Sequence, residues 1–182
     1  MKYLKKVMNL LNLVQNNSFR KLLASSWKDA EEVVKYLLEE YNIKPVIVGG
    51  LAVQQFGYRR MTEDIDILIS RKDYDYLIEE GKIKFGQLKI KSGVQIDVLT
   101  EGKDDNPDPE FVRDGDSLYP TFEGLIYMKL LSGRDKDKGD ITELLKINGL
   151  TKDLHDRVIN FLPAGMVSSF EERWNVAIIE KG

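Results

Sequence analysis

The chain has 182 residues, 42% hydrophobic and 31% charged, which is enough to bury a core without covalent staples. It contains no cysteine, which excludes disulfide frameworks, thiolate metal sites and cysteine nucleophiles and fits a cytoplasmic setting. A formal charge of −3 gives no global pull toward nucleic acid but leaves room for a local basic patch.

The first forty residues read as helical. An apolar stripe of Leu4, Val7, Met8 and Leu11, interrupted by Lys5, Lys6, Asn9 and Asn12, describes the N-terminus better than a signal peptide does. No stretch approaches the ~20 apolar residues of a membrane span, so no membrane partner is expected. Trp27, Ala30, Val33, Val34, Leu37 and Leu38 recur at helical steps behind Ser26, a capping residue. Pro45 to Val48 reads as a buried strand that ends in Gly49-Gly50, and Leu51 to Phe56 as a short helix stopped by Gly57. After the polar loop Tyr58 to Glu63, Ile65, Ile67 and Ile69 alternate with Asp64, Asp66 and Leu68 in the manner of a strand.

Ser70 is placed to cap a helix from Arg71 to Glu80. Lys82 to Thr100 alternates again, with a hairpin turn expected at Lys91-Ser92-Gly93 and a return strand from Val94 to Leu99. Gly102 to Gly115 is a polar loop, and its acidic part lacks the glycine and terminal glutamate of an EF-hand. Helices follow over Phe122–Ser132, 136–148 and Lys152–Phe161, and Ser169 and Glu172 stand at capping-box spacing in the last segment. The expected fold is α+β: an N-terminal helical segment (1–42), a small mixed-sheet core (43–118) and a C-terminal helical segment (119–182), forming one unit.

Two features carry chemistry. Asp64 and Asp66 lie two apart on one strand face, so their carboxylates point the same way and repel unless a cation sits between them. Mg²⁺ accepts a few carboxylates together with substrate phosphates, and Asp97, between Ile96 and Val98 on another strand, is the natural third ligand. The glycine pair, at a strand end that opens into a helix, lets backbone amides approach a phosphate closely. Each feature alone has an ordinary reading as a turn or a solvent-facing strand; their spacing together is far more specific.

Val48-Gly49-Gly50-Leu51-Ala52-Val53, followed by Gly57 to Thr62 and Asp64-Ile65-Asp66, resembles the DNA polymerase β-like nucleotidyltransferase superfamily. The resemblance is nearest to small prokaryotic members such as the AbiEii-like toxin group. Leu125 to Asp140 looks like the helical motif that follows in such proteins. The resemblance implies a nucleotidyltransferase core in which Gly49 and Gly50 hold a triphosphate. Asp64, Asp66 and Asp97 would bind two Mg²⁺ ions, or Mn²⁺, with Asp97 the base for an acceptor hydroxyl and pyrophosphate leaving. Lys129 and Arg134 would neutralise phosphate, with Asp137 and Asp140 orienting the helix or these basic residues; Arg60 would lie near the phosphates and Thr62 would brace the acidic strand. Many members carry Gly-Ser where this chain has Gly49-Gly50, and the Arg-Asp that follows the glycines in CCA-adding enzymes is replaced by Leu51-Ala52-Val53.

The implied activity moves a nucleoside monophosphate from an NTP to a tRNA end, a protein or a small molecule, in a toxin–antitoxin or stress context. Alternatives are an inactive nucleotide-binding or interaction domain of a toxin–antitoxin pair, and an antibiotic-modifying enzyme. A homodimer or a cognate partner protein could complete the acceptor side. Competing structural readings stay open at four places, the first being that Arg60 and Thr62 simply serve a loop that needs polar residues and cap its neighbours. Lys129 could snorkel to water from an apolar helix, 135–140 could be a solvated helix start, and His155, the single histidine, reads as a surface side chain.

Overall fold

The strand that carries the acids organises the molecule. The computed structural model describes residues 27–90 and 95–182. In it, β2 (Asp64–Ile69) lies between β1 (Val46–Ile47), antiparallel to it, and β5 (Gln95–Thr100), parallel to it. A hairpin of β3 (Ile83–Lys84) and β4 (Gln87–Leu88) adds to the far side of β5, giving the order β1-β2-β5-β4-β3. The fold is mixed α+β, with helices flanking the sheet at both ends of the described chain.

Alternation along β2 sorts its side chains onto two faces. Ile65, Ile67 and Ile69 are fully buried against α1 (Trp27–Tyr41), through Ala30, Val33 and Leu37, and against Leu77 of α3 (Arg71–Glu79). Each buried isoleucine contributes about 1.5–3 kcal/mol, so these three pin the register that sends Asp64 and Asp66 to the opposite face. Ser70 accepts a hydrogen bond from the Asp73 amide and caps α3. Past the acids, the second face closes over Leu68, which packs with Val46, Val48 and Val112.

A second core lies among the C-terminal helices: α5 (Phe122–Ser132), α6 (Asp135–Asn148), α7 (Lys152–Phe161) and α8 (Ala164–Lys181). Ala52 and Val53 of α2 (Gly49–Gln55) belong to that core, whereas Leu51 belongs to the sheet core. The glycine-led helix therefore ties the two halves together. A single turn, α4 (Pro109–Val112), leads from the 102–108 loop toward α5. No described helix is long and apolar enough to cross a membrane.

Several expectations change. The helix after the glycines begins at Gly49 itself, because Val48 already has the extended backbone of a cap. Ser169 starts no helix; it sits inside α8, whose start is set by Pro163. Leu38, counted in the α1 stripe, is exposed, while its neighbour Leu37 is buried. His155 is not free on the surface: its ring meets Trp174 edge-on, centroids 4.8 Å apart, and its Nε2 lies 3.0 Å from Glu171 Oε1, wedging α7 against α8. Trp174 itself is buried in the C-terminal core. The described hairpin turns at Phe85-Gly86, both at positive φ. The expected Leu4–Leu11 stripe, the Ser26 cap, the Trp27 side chain and the 91–93 turn lie outside the described residues.

Candidate active site

Parallel pairing of β2 with β5 sets Asp66 directly opposite Asp97 and Asp64 opposite Gln95. One carboxylate oxygen from each of Asp64, Asp66 and Asp97 lies within 4.8 Å of the other two. Thr62 Oγ1 donates to Asp64 Oδ1 at 3.1 Å, and the Gln87 and Gln95 side-chain amides each reach Asp97 Oδ1 at 3.2 Å. These neutral donors orient the outer two acids and leave the inner one uncompensated. Burial, then the charges of Asp64 and Asp97, push the Asp66 carboxyl up from 3.8 to about 6 against the opposing pull of Lys129 and Arg134. Among the described residues no lysine or arginine comes within ion-pair distance of the three acids. A hard divalent cation matches this all-oxygen donor set and its unbalanced charge.

The glycines serve these acids as well as any phosphate. Gly49 has φ +61, and a Cβ added to it would fall 1.8 Å from Asp66 Oδ2. A Cβ on Gly50 would fall 2.4 Å from Thr62 Oγ1. The backbone is held close: the Val48 amide donates to the Asp66 carbonyl at 2.9 Å. The glycine pair and the Thr62–Asp66 segment are therefore one steric unit, which accounts for the absence of any side chain at both positions.

Gly49, Asp66, Asp97, Lys129 and Arg134 line one cleft of about 350 Å³, a size suited to a nucleotide. Gly50 and Thr62 are buried beneath its floor, and Asp64 joins it through the carboxylate cluster. Arg60 is not brought there. Its Nε lies 2.8 Å from Asp140 Oδ1, and it opens onto a separate groove beside Tyr58 and Arg173. Lys103, Asp104 and Asn106 of the acidic loop also wall the cleft. That loop is held by the Asn106 side chain donating to the Lys103 carbonyl at 2.7 Å, with Asp104 and Asp105 both at positive φ.

Behind the acids, Lys129 does not snorkel: it is 4% exposed and donates to Asp137 at 2.6 Å and to Asp140 at 2.8 Å. Asp137 also accepts from Ser132 at 2.7 Å and from Arg134 at 2.6 Å. Burial opposes ionisation of Asp137, but the hydrogen bond and charge of Lys129, with Ser132 and Arg134, outweigh it and hold the carboxyl at about 2. The 135–140 run is therefore not a solvated helix start at Asp137 and Asp140, which are buried and form an Arg134–Asp137–Lys129–Asp140–Arg60 chain of alternating charge. This chain fixes where positive charge meets the cleft. Arg134 lines the cleft with its side chain 61% exposed while its Nε donates to Asp137. No family model matches the sequence and no curated protein resembles it significantly, so the functional reading rests on this geometry.

Proposed function

We propose that the protein is a divalent-metal-dependent nucleotidyltransferase that moves a nucleoside monophosphate from an NTP to a hydroxyl acceptor. The observation that carries this reading is the in-register pair Asp66 and Asp97, joined by Asp64 into a three-carboxylate cluster at the mouth of a glycine-floored cleft. Bound Mg²⁺ or Mn²⁺ would be held by Asp64, Asp66 and Asp97 and would supply Lewis-acid neutralisation of the triphosphate. The triphosphate would lie along the backbone of Gly49, beside the Asp66 carboxylate for which the missing Cβ leaves room.

Arg134 reaches the outer phosphates, while Lys129 positions it through Asp137 instead of touching phosphate itself. Asp97 faces the acceptor side and takes the proton of the attacking hydroxyl as the bond from the α-phosphorus to pyrophosphate breaks. Gln87 and Gln95 hold Asp97 in place through its carboxylate oxygens. The three acids favour a metal-loaded site over a metal-free one, because burying Asp66 beside two like charges costs stability that a metal-free domain would not recover.

The test is label transfer. The protein is incubated with each α-labelled NTP, Mg²⁺ or Mn²⁺, and total RNA, cell protein or aminoglycosides, alongside Asp64→Ala. Transfer that Asp64→Ala abolishes is expected. No transfer, with NTP binding unchanged in Asp66→Ala and Asp97→Ala, contradicts the proposal.

A further inference from the structure

The pairing of the sheet continues the acidic row outward to a different chemistry. Asp66 pairs with Asp97, Asp97 with Gln87, and Gln87 with Lys84, so these four side chains form one row across four strands. Lys84 lies two strand spacings from Asp97, roughly 10 Å. Beyond it, at the hairpin tip, stands Phe85, 93% exposed and the most exposed of the large apolar residues described. The Lys84 Nζ sits 5.1 Å from its ring centroid.

Stability does not account for Phe85. It has φ +55 and is followed by Gly86 at φ +77, so the turn has positive φ at both central positions, where Asn or Asp before Gly is favoured and a bulky aromatic is strained. The ring buries nothing in return. The segment from Lys82 to Lys89 has three lysines and no acid, in a chain whose net charge is −3. An exposed ring with a lysine ammonium against it, on a hairpin that carries two further lysines, is the pairing that holds single-stranded nucleic acid, the base stacking and the phosphate meeting lysine. The hairpin is also fastened to the site: the Val98 amide donates to the Gly86 carbonyl at 2.7 Å, beside Asp97.

We infer that the Lys82–Lys89 hairpin is the acceptor-docking element and that the acceptor is the 3′-hydroxyl end of a single-stranded nucleic acid. Its terminal hydroxyl meets Asp97, a base a nucleotide or two inward stacks on Phe85, and Lys84 takes the phosphate between them. This rests on the nucleotidyltransferase reading for the identity of the acceptor. A small cationic acceptor would be repelled by the lysines. An acidic protein surface would use the charge but leave the strained ring without a role.

Fluorescence anisotropy with a 5′-fluorescein-labelled single-stranded RNA of about 12 nucleotides, without NTP or metal, reads the hairpin alone. Wild type is expected to bind, more weakly as salt rises. Phe85→Asn is expected to bind about tenfold weaker or worse while keeping or raising Tm, because asparagine suits the turn. Lys84→Gln is expected to flatten the salt dependence. Equal RNA binding by wild type and Phe85→Asn overturns the proposal, as does label transfer to a protein that Phe85→Asn leaves unchanged. The transferase reading is scored separately by label transfer from any of the four α-labelled NTPs that Asp64→Ala abolishes. That transfer without Phe85-dependent RNA binding removes the acceptor assignment alone. Phe85-dependent binding without any transfer removes the transferase reading and leaves a nucleic-acid-docking hairpin.

Discussion

Asp66→Asn is expected to make the metal-free protein more stable while abolishing its response to metal. The Asp66 carboxyl is pushed from 3.8 to about 6 by burial and by Asp64 and Asp97. A carboxyl with a raised folded-state pKa destabilises the fold wherever it must ionise: the penalty is full above about 6 and vanishes below about 4. A shift of about two units at 1.36 kcal/mol each gives about 3 kcal/mol at neutral pH. Asparagine keeps the shape and removes the charge, so it recovers about 2–3 kcal/mol, a Tm rise of about 5–10 °C for a chain of this size. The assay is thermal denaturation of both proteins in EDTA near pH 7.5 and again near pH 4. The rise should appear at the higher pH and disappear at the lower. Adding Mn²⁺ should then raise the Tm of wild type alone. A variant no more stable than wild type near pH 7.5 would refute the idea that the three carboxylates are held together under charge repulsion.

Three further outcomes follow from the same geometry. Gly49→Ala should cost about 2–4 kcal/mol, because φ +61 and a Cβ 1.8 Å from Asp66 Oδ2 are both unfavourable. Gly139→Ala in α6, where a Cβ meets nothing within 4 Å, should stabilise by about 0.5–1 kcal/mol; urea melts compare them, and equal effects would contradict the steric pairing of Gly49 with Asp66. Lys129→Met should destabilise by about 3–5 kcal/mol, since it leaves Asp137 and Asp140 buried without the lysine that joins them, held only by Arg134 and Ser132 at one and Arg60 at the other. In wild type, the share contributed by Asp137 is present above its ordinary value of 3.8 and is lost as pH falls toward about 2; a variant with an unaltered acid-unfolding curve would count against this. Mn²⁺ affinity, read by calorimetry, should fall as pH drops through about 6, where Asp66 takes up its proton; a flat profile between pH values of about 5 and 7.5 would contradict it.

Much of the fold could be read from local pattern. The Ile65-Ile67-Ile69 alternation gave β2, the Ser70 cap gave α3, and both Phe122–Ser132 and Lys152–Phe161 matched residue for residue, because a threonine N-cap precedes each. Asp97 could be singled out because an acid between β-branched residues on a strand asks for a purpose. The rest depended on distant partners. Nothing near Lys129 in sequence shows that α6 will fold back and enclose it between Asp137 and Asp140, or that Asp140 will draw Arg60 away from the cleft. Phe85-Gly86 was missed as a turn because phenylalanine is a poor residue for positive φ, and that misfit is what now marks it. The role of Lys103 to Asn106 was hidden because a polar loop shows no apolar period, whatever it encloses.

The central claim is that Asp64, Asp66 and Asp97 hold a divalent metal against a nucleotide in the glycine-floored cleft. A crystal structure with Mn²⁺ and a non-hydrolysable NTP, phased on manganese anomalous scattering, tests it most directly. Anomalous density between the three carboxylates, with the triphosphate against Gly49 and Arg134 turned toward it, is the predicted result. Manganese bound elsewhere, for example on the exposed Asp104-Asp105 loop, with the three carboxylates bare and the cleft without nucleotide, would contradict it.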